Sequence, residues 1–140
     1  AYYRRLTGDD ELARMAAAKA WSIWEGRTAT LRPDPDTVGF FADPHHALSI
    51  ARIECHYFIN KAFLARDQLL DGVERIRHIP AVLVHGRYDV VCPIEQAFTL
   101  AERWPEARLE VIDDAGHAAT EPGIIDALLR ATDEMAERLT

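Results

Sequence analysis

Ala81-Val82-Leu83-Val84-His85-Gly86 follows Pro80 and runs directly into Arg87-Tyr88-Asp89. The first six residues form a short, nearly unbroken apolar run rich in β-branched side chains, which predicts a strand buried on both faces. Downstream, a helix from about Ile94 to Arg103 leads through Trp104-Pro105 to a second strand, Arg108-Leu109-Glu110-Val111-Ile112. An amphipathic helix from Pro122 to Leu139 closes the pattern. Strand, helix, strand, helix at this spacing is the βαβα order of a parallel sheet covered by helices. Two parallel strands do not make a stable sheet unaided. The second half of the chain therefore reads as the edge of a larger α/β domain.

Upstream of Pro80 the pattern is helical. From Asp9 to Glu25 apolar residues recur at helical spacing (Leu12, Met15, Ala16, Ala20, Ile23, Trp24), and Gly26 is expected to end this helix. The stretches Arg32-Pro33-Asp34-Pro35-Asp36 and Asp43-Pro44 place three prolines in a short interval and read as a surface connection. A second helix begins near His45 and presents Ala47, Ile50, Ala51, Ile53, Tyr57 and Phe58 on a broad apolar face. A shorter amphipathic piece spans Asp67 to Arg75. This helical half reads as a segment inserted into the α/β part or laid over it.

Composition narrows the classes. With 140 residues and 49% hydrophobic content the chain can bury the core of one modest domain. Its 16 basic and 23 acidic residues give a net charge of −7, with no basic run able to track a phosphate backbone, so nucleic acid is not an expected partner. Cys55 and Cys92 stand far apart without a CxxC pairing, which fits free thiols in a reducing, cytoplasmic setting. No apolar run approaches membrane-span length, and Ala1-Tyr2-Tyr3-Arg4-Arg5 has no signal-peptide character. The chain does not begin with methionine, which leaves room for it to be a piece of something longer.

In an open parallel sheet, sites are built where loops leave the carboxyl ends of the strands. The first predicted strand ends in Gly86-Arg87-Tyr88-Asp89-Val90-Val91-Cys92-Pro93 and the second in Asp113-Asp114-Ala115-Gly116-His117. Asp89 and His117 thus occupy corresponding places. A carboxylate that accepts from imidazole Nδ1–H fixes the tautomer and leaves Nε2 free to take a proton from a nucleophile. Two residues so placed point to a catalytic pair. The nucleophile is not in this chain. Its two serines, Ser22 and Ser49, lie inside predicted helices, and no G-x-S-x-G elbow is present. Cys92 shares its loop with Asp89, a poor position for a nucleophile that must use His117, and is better read as a pocket-lining or structural thiol. Because this class orders its triad as serine, acid, histidine, the serine is expected upstream of Ala1.

Two carboxylates in the helical half are notable for their placement. Glu25 falls at the end of its predicted helix, where the macrodipole disfavours negative charge. Glu54 is mid-helix on the apolar face shared with Ile50, Ala51, Tyr57 and Phe58, which is costly unless it is paired. Two such acids facing one cavity would repel each other, and a cationic ligand such as a peptide's free amino terminus would relieve that repulsion. The ordinary alternative is a pair of solvated or salt-bridged helix carboxylates. His45, His46, His56, His78 and His85 form no arrangement that reads as a metal site, and neither a metal nor a cofactor is expected.

Four segments taken together carry a resemblance to the proline iminopeptidases, serine peptidases that release an N-terminal proline. They are Ala20-Trp21-Ser22-Ile23-Trp24-Glu25-Gly26, Ala51-Arg52-Ile53-Glu54-Cys55-His56-Tyr57-Phe58, Gly86-Arg87-Tyr88-Asp89-Val90-Val91-Cys92-Pro93 and Asp114-Ala115-Gly116-His117. The last two suit almost any α/β-hydrolase, whereas the first two narrow the resemblance to this family. The resemblance implies an α/β fold in which residues 1–66 form a helical cap segment and 67–140 the C-terminal part of an α/β-hydrolase core. It implies that Asp89 and His117 are triad members, that Glu25 and Glu54 bind the substrate's terminal amine, and that Cys92 lines the pocket for the proline ring.

The expected function is serine-type release of N-terminal proline from peptides by a complete protein, with this chain alone inactive. The expected partners are such a peptide, the N-terminal half of the hydrolase core, and a second copy as a further possibility; no membrane is expected. Rival readings are another capped α/β-hydrolase, an esterase or epoxide hydrolase, and a non-catalytic binding module that retains the fold.

Overall fold

The computed structural model describes residues 1–139, which form two compact units. One comprises residues 1–27 and 32–66, the other 28–31 and 67–140 apart from the last residue.

The first unit is helical: α1 (Tyr2–Thr7), α2 (Glu11–Thr28), α3 (Pro35–Ala42) and α4 (Pro44–Ile59). Its core is built from small side chains. Leu6, Ala17, Ala18, Ala47, Ala51 and Cys55 are buried together, with Trp21 and Leu48 packed against them. Alanine at these positions lets helix backbones approach closely. Two sequence expectations are corrected here. Gly26 does not end its helix, which continues to Thr28. A Cβ at Gly26 would lie 3.0 Å from Cβ of Phe41, so this glycine serves close packing rather than helix termination. The proline-rich connection likewise contains a helix. Asp34 caps α3 by accepting from the Asp36 N–H at 3.0 Å, and Asp43 caps α4 by accepting from His45 and His46. In each case the next residue is a proline at the first helical position, where its missing N–H costs nothing. These prolines start helices instead of breaking them.

In the second unit, α5 (Gln68–Gly72) and a 3₁₀ turn at Val73–Arg75 precede β1 (Ala81–Gly86), α6 (Glu95–Arg103), β2 (Ala107–Ile112) and α7 (Pro122–Leu139). The two strands pair in parallel, with Ala81 opposite Ala107 and Gly86 opposite Ile112. Both α6 and α7 pack against them. The order and the parallel pairing follow the sequence reading, but one detail differs. All of β1 except Gly86 is only half-buried, although its composition is that of a strand covered on both faces. Leu69, Leu70, Val82, Val84 and Leu100 line an apolar groove of about 620 Å³ beside it. Among the described residues the sheet has two strands, and no helix is long and apolar enough to cross a membrane.

Candidate active site

β1 ends at Gly86, and the chain then turns back on itself around one carboxylate. Asp89 Oδ1 accepts from the backbone N–H of Val91 at 2.9 Å and of Cys92 at 2.8 Å. An aspartate that bonds the backbone two and three residues ahead builds its own turn. Oδ2 remains for a longer-range partner, Nδ1 of His117, at 2.9 Å. A carboxylate only accepts, so Nδ1 carries the proton and Nε2 is the ring's available base. The Asp89 side chain is 5% exposed and that of His117 40%, so the acid is sheltered while the imidazole reaches solvent. Burial pushes the Asp89 carboxyl up, but the Cys92 N–H, His117 and the Val91 N–H outweigh it and hold the group below its ordinary range.

The His117 loop is fixed by backbone contacts. Arg87 donates its N–H to the Ile112 carbonyl at 2.9 Å, and Tyr88 to that of Ala115 at 3.0 Å, which laces together the loops leaving the two strands. A Cβ at Gly86 would run into the Gly116 carbonyl, so only glycine allows this approach. Segment 28–31 supplies further anchors. The carbonyl of Ala29 accepts from His117 N–H at 2.9 Å and Ala118 N–H at 2.7 Å. The Glu121 carboxylate accepts from Gly116 N–H at 2.6 Å through Oε1 and from Leu31 N–H at 3.2 Å through Oε2. Neither Glu121 nor segment 28–31 stood out in the sequence. A glutamate four residues after a Gly-His turn, just ahead of a helix-starting proline, is the signal that was there to be read.

Cys92 lies in the same cluster: a ligand-type atom from each of Asp89, Cys92 and His117 falls within 4.8 Å of the others. These donor types could bind a soft divalent ion, but both Asp89 oxygens are already engaged, one by two N–H groups and the other by His117. Asp89 and His117 are thus bonded to each other, with the Cys92 thiol beside them.

Glu25 and Glu54 both lie in the helical unit, on α2 and α4. Glu54 is not left to a purely apolar face: the indole Nε1–H of Trp21 donates to its Oε2 at 2.6 Å. Trp21 is itself held edge-on by Tyr2 at 5.1 Å between ring centroids. Glu25 sits three residues before the end of α2, not at its end. The two serines are spent on helix carbonyls, Ser22 Oγ donating to Phe41 at 2.6 Å and Ser49 Oγ to His45 at 2.9 Å. Ser22 is fully buried. Both hydroxyls are thus structural.

Comparison with known proteins is decisive at this point. Over 137 residues the sequence is 55% identical to a proline iminopeptidase of Xanthomonas citri, covering 97% of this chain and 44% of that protein. Along nearly its whole length the chain is related to the proline iminopeptidases. It is 49% identical over 136 residues to the proline iminopeptidase of Arabidopsis thaliana, covering 96% of this chain and 36% of that one, and 41% identical over 140 residues to that of Neisseria gonorrhoeae. The chain spans less than half the length of these proline iminopeptidases. No family model matches the sequence. Among solved structures, an esterase from Exiguobacterium antarcticum superposes with a TM-score of 0.51 at 22% identity, covering 95% of this chain and 45% of that one. That likeness concerns the fold, and it places the parallel strand pair and its helices within the α/β-hydrolase architecture.

Proposed function

We propose that this chain forms part of a serine-type prolyl aminopeptidase, with residues 1–66 as cap segment and 67–140 as the C-terminal part of the hydrolase core. The observation that carries the proposal is the 2.9 Å bond between Asp89 and His117 in a chain 55% identical to a proline iminopeptidase. In this reading a serine outside the chain attacks the carbonyl carbon of an N-terminal proline residue. Nε2 of His117 takes the hydroxyl proton as the Oγ–C bond forms, then delivers it to the departing amine as the peptide C–N bond breaks. Water attacks the resulting prolyl ester, again losing its proton to Nε2, and proline leaves as the serine is restored. Asp89 keeps His117 in the required tautomer and stabilises the imidazolium.

Glu25 and Glu54 are assigned to the substrate's terminal amine and Cys92 to the pocket for the proline ring. The Trp21 bond supports the assignment for Glu54, since one oxygen held by an indole leaves the other for an ammonium donor. The half-buried β1 and its apolar groove support pairing with further strands of the same core or with another copy. That Cys55 and Cys92 are not joined in a disulfide supports a cytoplasmic setting.

The test is release of chromophore from a proline arylamide by the full-length protein and by its His117→Ala variant, with an aryl ester assayed in parallel. Proline release that collapses by orders of magnitude in the variant is the expected result. Ester cleavage without proline release would leave the pair standing and move the function to an esterase.

A further inference from the structure

We infer that His85 is a positioning residue for the Asp89 carboxylate, an inference that rests on the triad reading above. His85 sits in β1, one residue before its end, and its side chain is 18% exposed. Its Nε2 lies 3.0 Å from the carbonyl oxygen of Cys92 and 3.6 Å from Oδ2 of Asp89. Both neighbours are acceptors, a peptide carbonyl and an ionised carboxylate. Nε2 must therefore carry hydrogen, so these partners select one tautomer of this imidazole. That hydrogen bonds the Cys92 carbonyl. Its separation from Oδ2 is too long for a full hydrogen bond, but it turns the positive end of the N–H dipole toward the oxygen that receives His117.

The geometry forms a closed circuit. The Cys92 N–H donates to Asp89 Oδ1, the Cys92 carbonyl accepts from His85, and Asp89 Oδ2 accepts from His117. Both backbone groups of Cys92 are thereby held, one by the acid and one by the strand that delivers the acid. Asp89 can swing away from His117 only if the loop 89–92 loosens, and His85 is the side chain from β1 that ties this loop down. Removing its donor leaves the Cys92 carbonyl without this partner and lets the acid sample orientations in which His117 is unsupported.

The experiment replaces the donor in the full-length protein. His85→Phe and His85→Leu keep bulk without an N–H, while His85→Gln can place an amide N–H near the position of Nε2. Loss of one hydrogen bond worth about 1 kcal/mol predicts that kcat on a proline arylamide falls about fivefold to tenfold in the Phe and Leu variants. It should recover to within about twofold in the Gln variant. The proton on Nδ1 of His117, observed by NMR as a downfield imidazole resonance, is expected to broaden or shift in Phe and Leu and to return in Gln. Unchanged kcat and an unchanged resonance in the donor-less variants would overturn the inference. So would a Gln variant no better than Leu. Should one donor-less variant fail to fold, the other and Gln still decide. If the unaltered protein releases no proline, the triad reading fails, and the resonance alone still reports whether His85 holds the acid toward His117.

Discussion

Asp89 divides its carboxylate between two distances in sequence: Oδ1 binds residues two and three positions away, and Oδ2 binds His117, twenty-eight positions away, at 2.9 Å. One oxygen makes the loop and the other holds His117, so the two roles can be separated by substitution.

Asp89→Asn, with its amide oxygen in the Oδ1 position, keeps the acceptor for Val91 and Cys92 but presents an NH₂ to His117. Nδ1 must then accept, the proton moves to Nε2, and the base is lost. In the full-length protein kcat on a proline arylamide should fall about 10³- to 10⁴-fold. Circular dichroism and the thermal midpoint check that the fold persists. A fall of less than tenfold would show that Asp89 does not set the tautomer.

The same carboxyl makes stability depend on pH. Its folded-state pKa is depressed below the unfolded value, so its contribution is fully present above the ordinary aspartate pKa near 4 and is lost as pH falls through the folded value. Denaturant midpoints measured from neutral pH down into the acid range should therefore decline less steeply for Asp89→Asn than for the unaltered protein. Parallel curves would argue against a depressed Asp89.

Trp21→Phe removes the indole donor from Glu54 Oε2 while keeping an aromatic ring against Tyr2. A hydrogen bond to a charged group contributes about 1.5–3 kcal/mol, so unfolding titrations should show a loss of this order. If Glu54 binds the terminal amine, the Michaelis constant for proline arylamides should rise as well, with less effect on an aryl ester that lacks a free amine. Glu54→Gln separates the two effects, since it can still accept from Trp21 but carries no charge.

Gly86→Ala is expected to destabilise the site. The added methyl meets the backbone carbonyl of Gly116, which cannot move without dragging the His117 loop along. Overpacking against backbone costs about 1–3 kcal/mol, and activity should fall together with the thermal midpoint. A variant that melts normally and turns over normally would mean that the loops can spread apart.

The α/β half was legible because its signals are local: the apolar run at Ala81–Gly86 and the helix from Pro122 coincide with the observed elements. That Asp89 and His117 come together was legible because loops leaving adjacent strand ends converge, and the structure joins them at 2.9 Å. The rest failed for specific reasons. Gly26 looked like a stop, but its function is to admit Phe41, a contact fifteen residues away that no window of α2 contains. Asp34-Pro35 and Asp43-Pro44 looked like breaks because proline was weighed without the capping aspartate before it. His85 read as an ordinary strand residue since its partners lie on a loop whose path only the fold reveals. Trp21 and Glu54 are thirty-three positions apart, and only helix packing brings the donor to the acid.

The self-closing turn at Asp89 also bears on the order in which the site assembles. Bonds to residues two and three positions away require almost no loop to be closed, whereas the Asp89–His117 bond must wait for α6 to form and β2 to find its register beside β1. The Asp89 turn thus forms early and His117 arrives late, so replacing Val91 by proline, which removes a backbone donor to Oδ1, should act on folding speed while mutations at His117 act mainly on unfolding. A protein built this way can lose the Asp89–His117 bond transiently, by release of the His117 loop, and regain it without rebuilding the turn that holds Asp89.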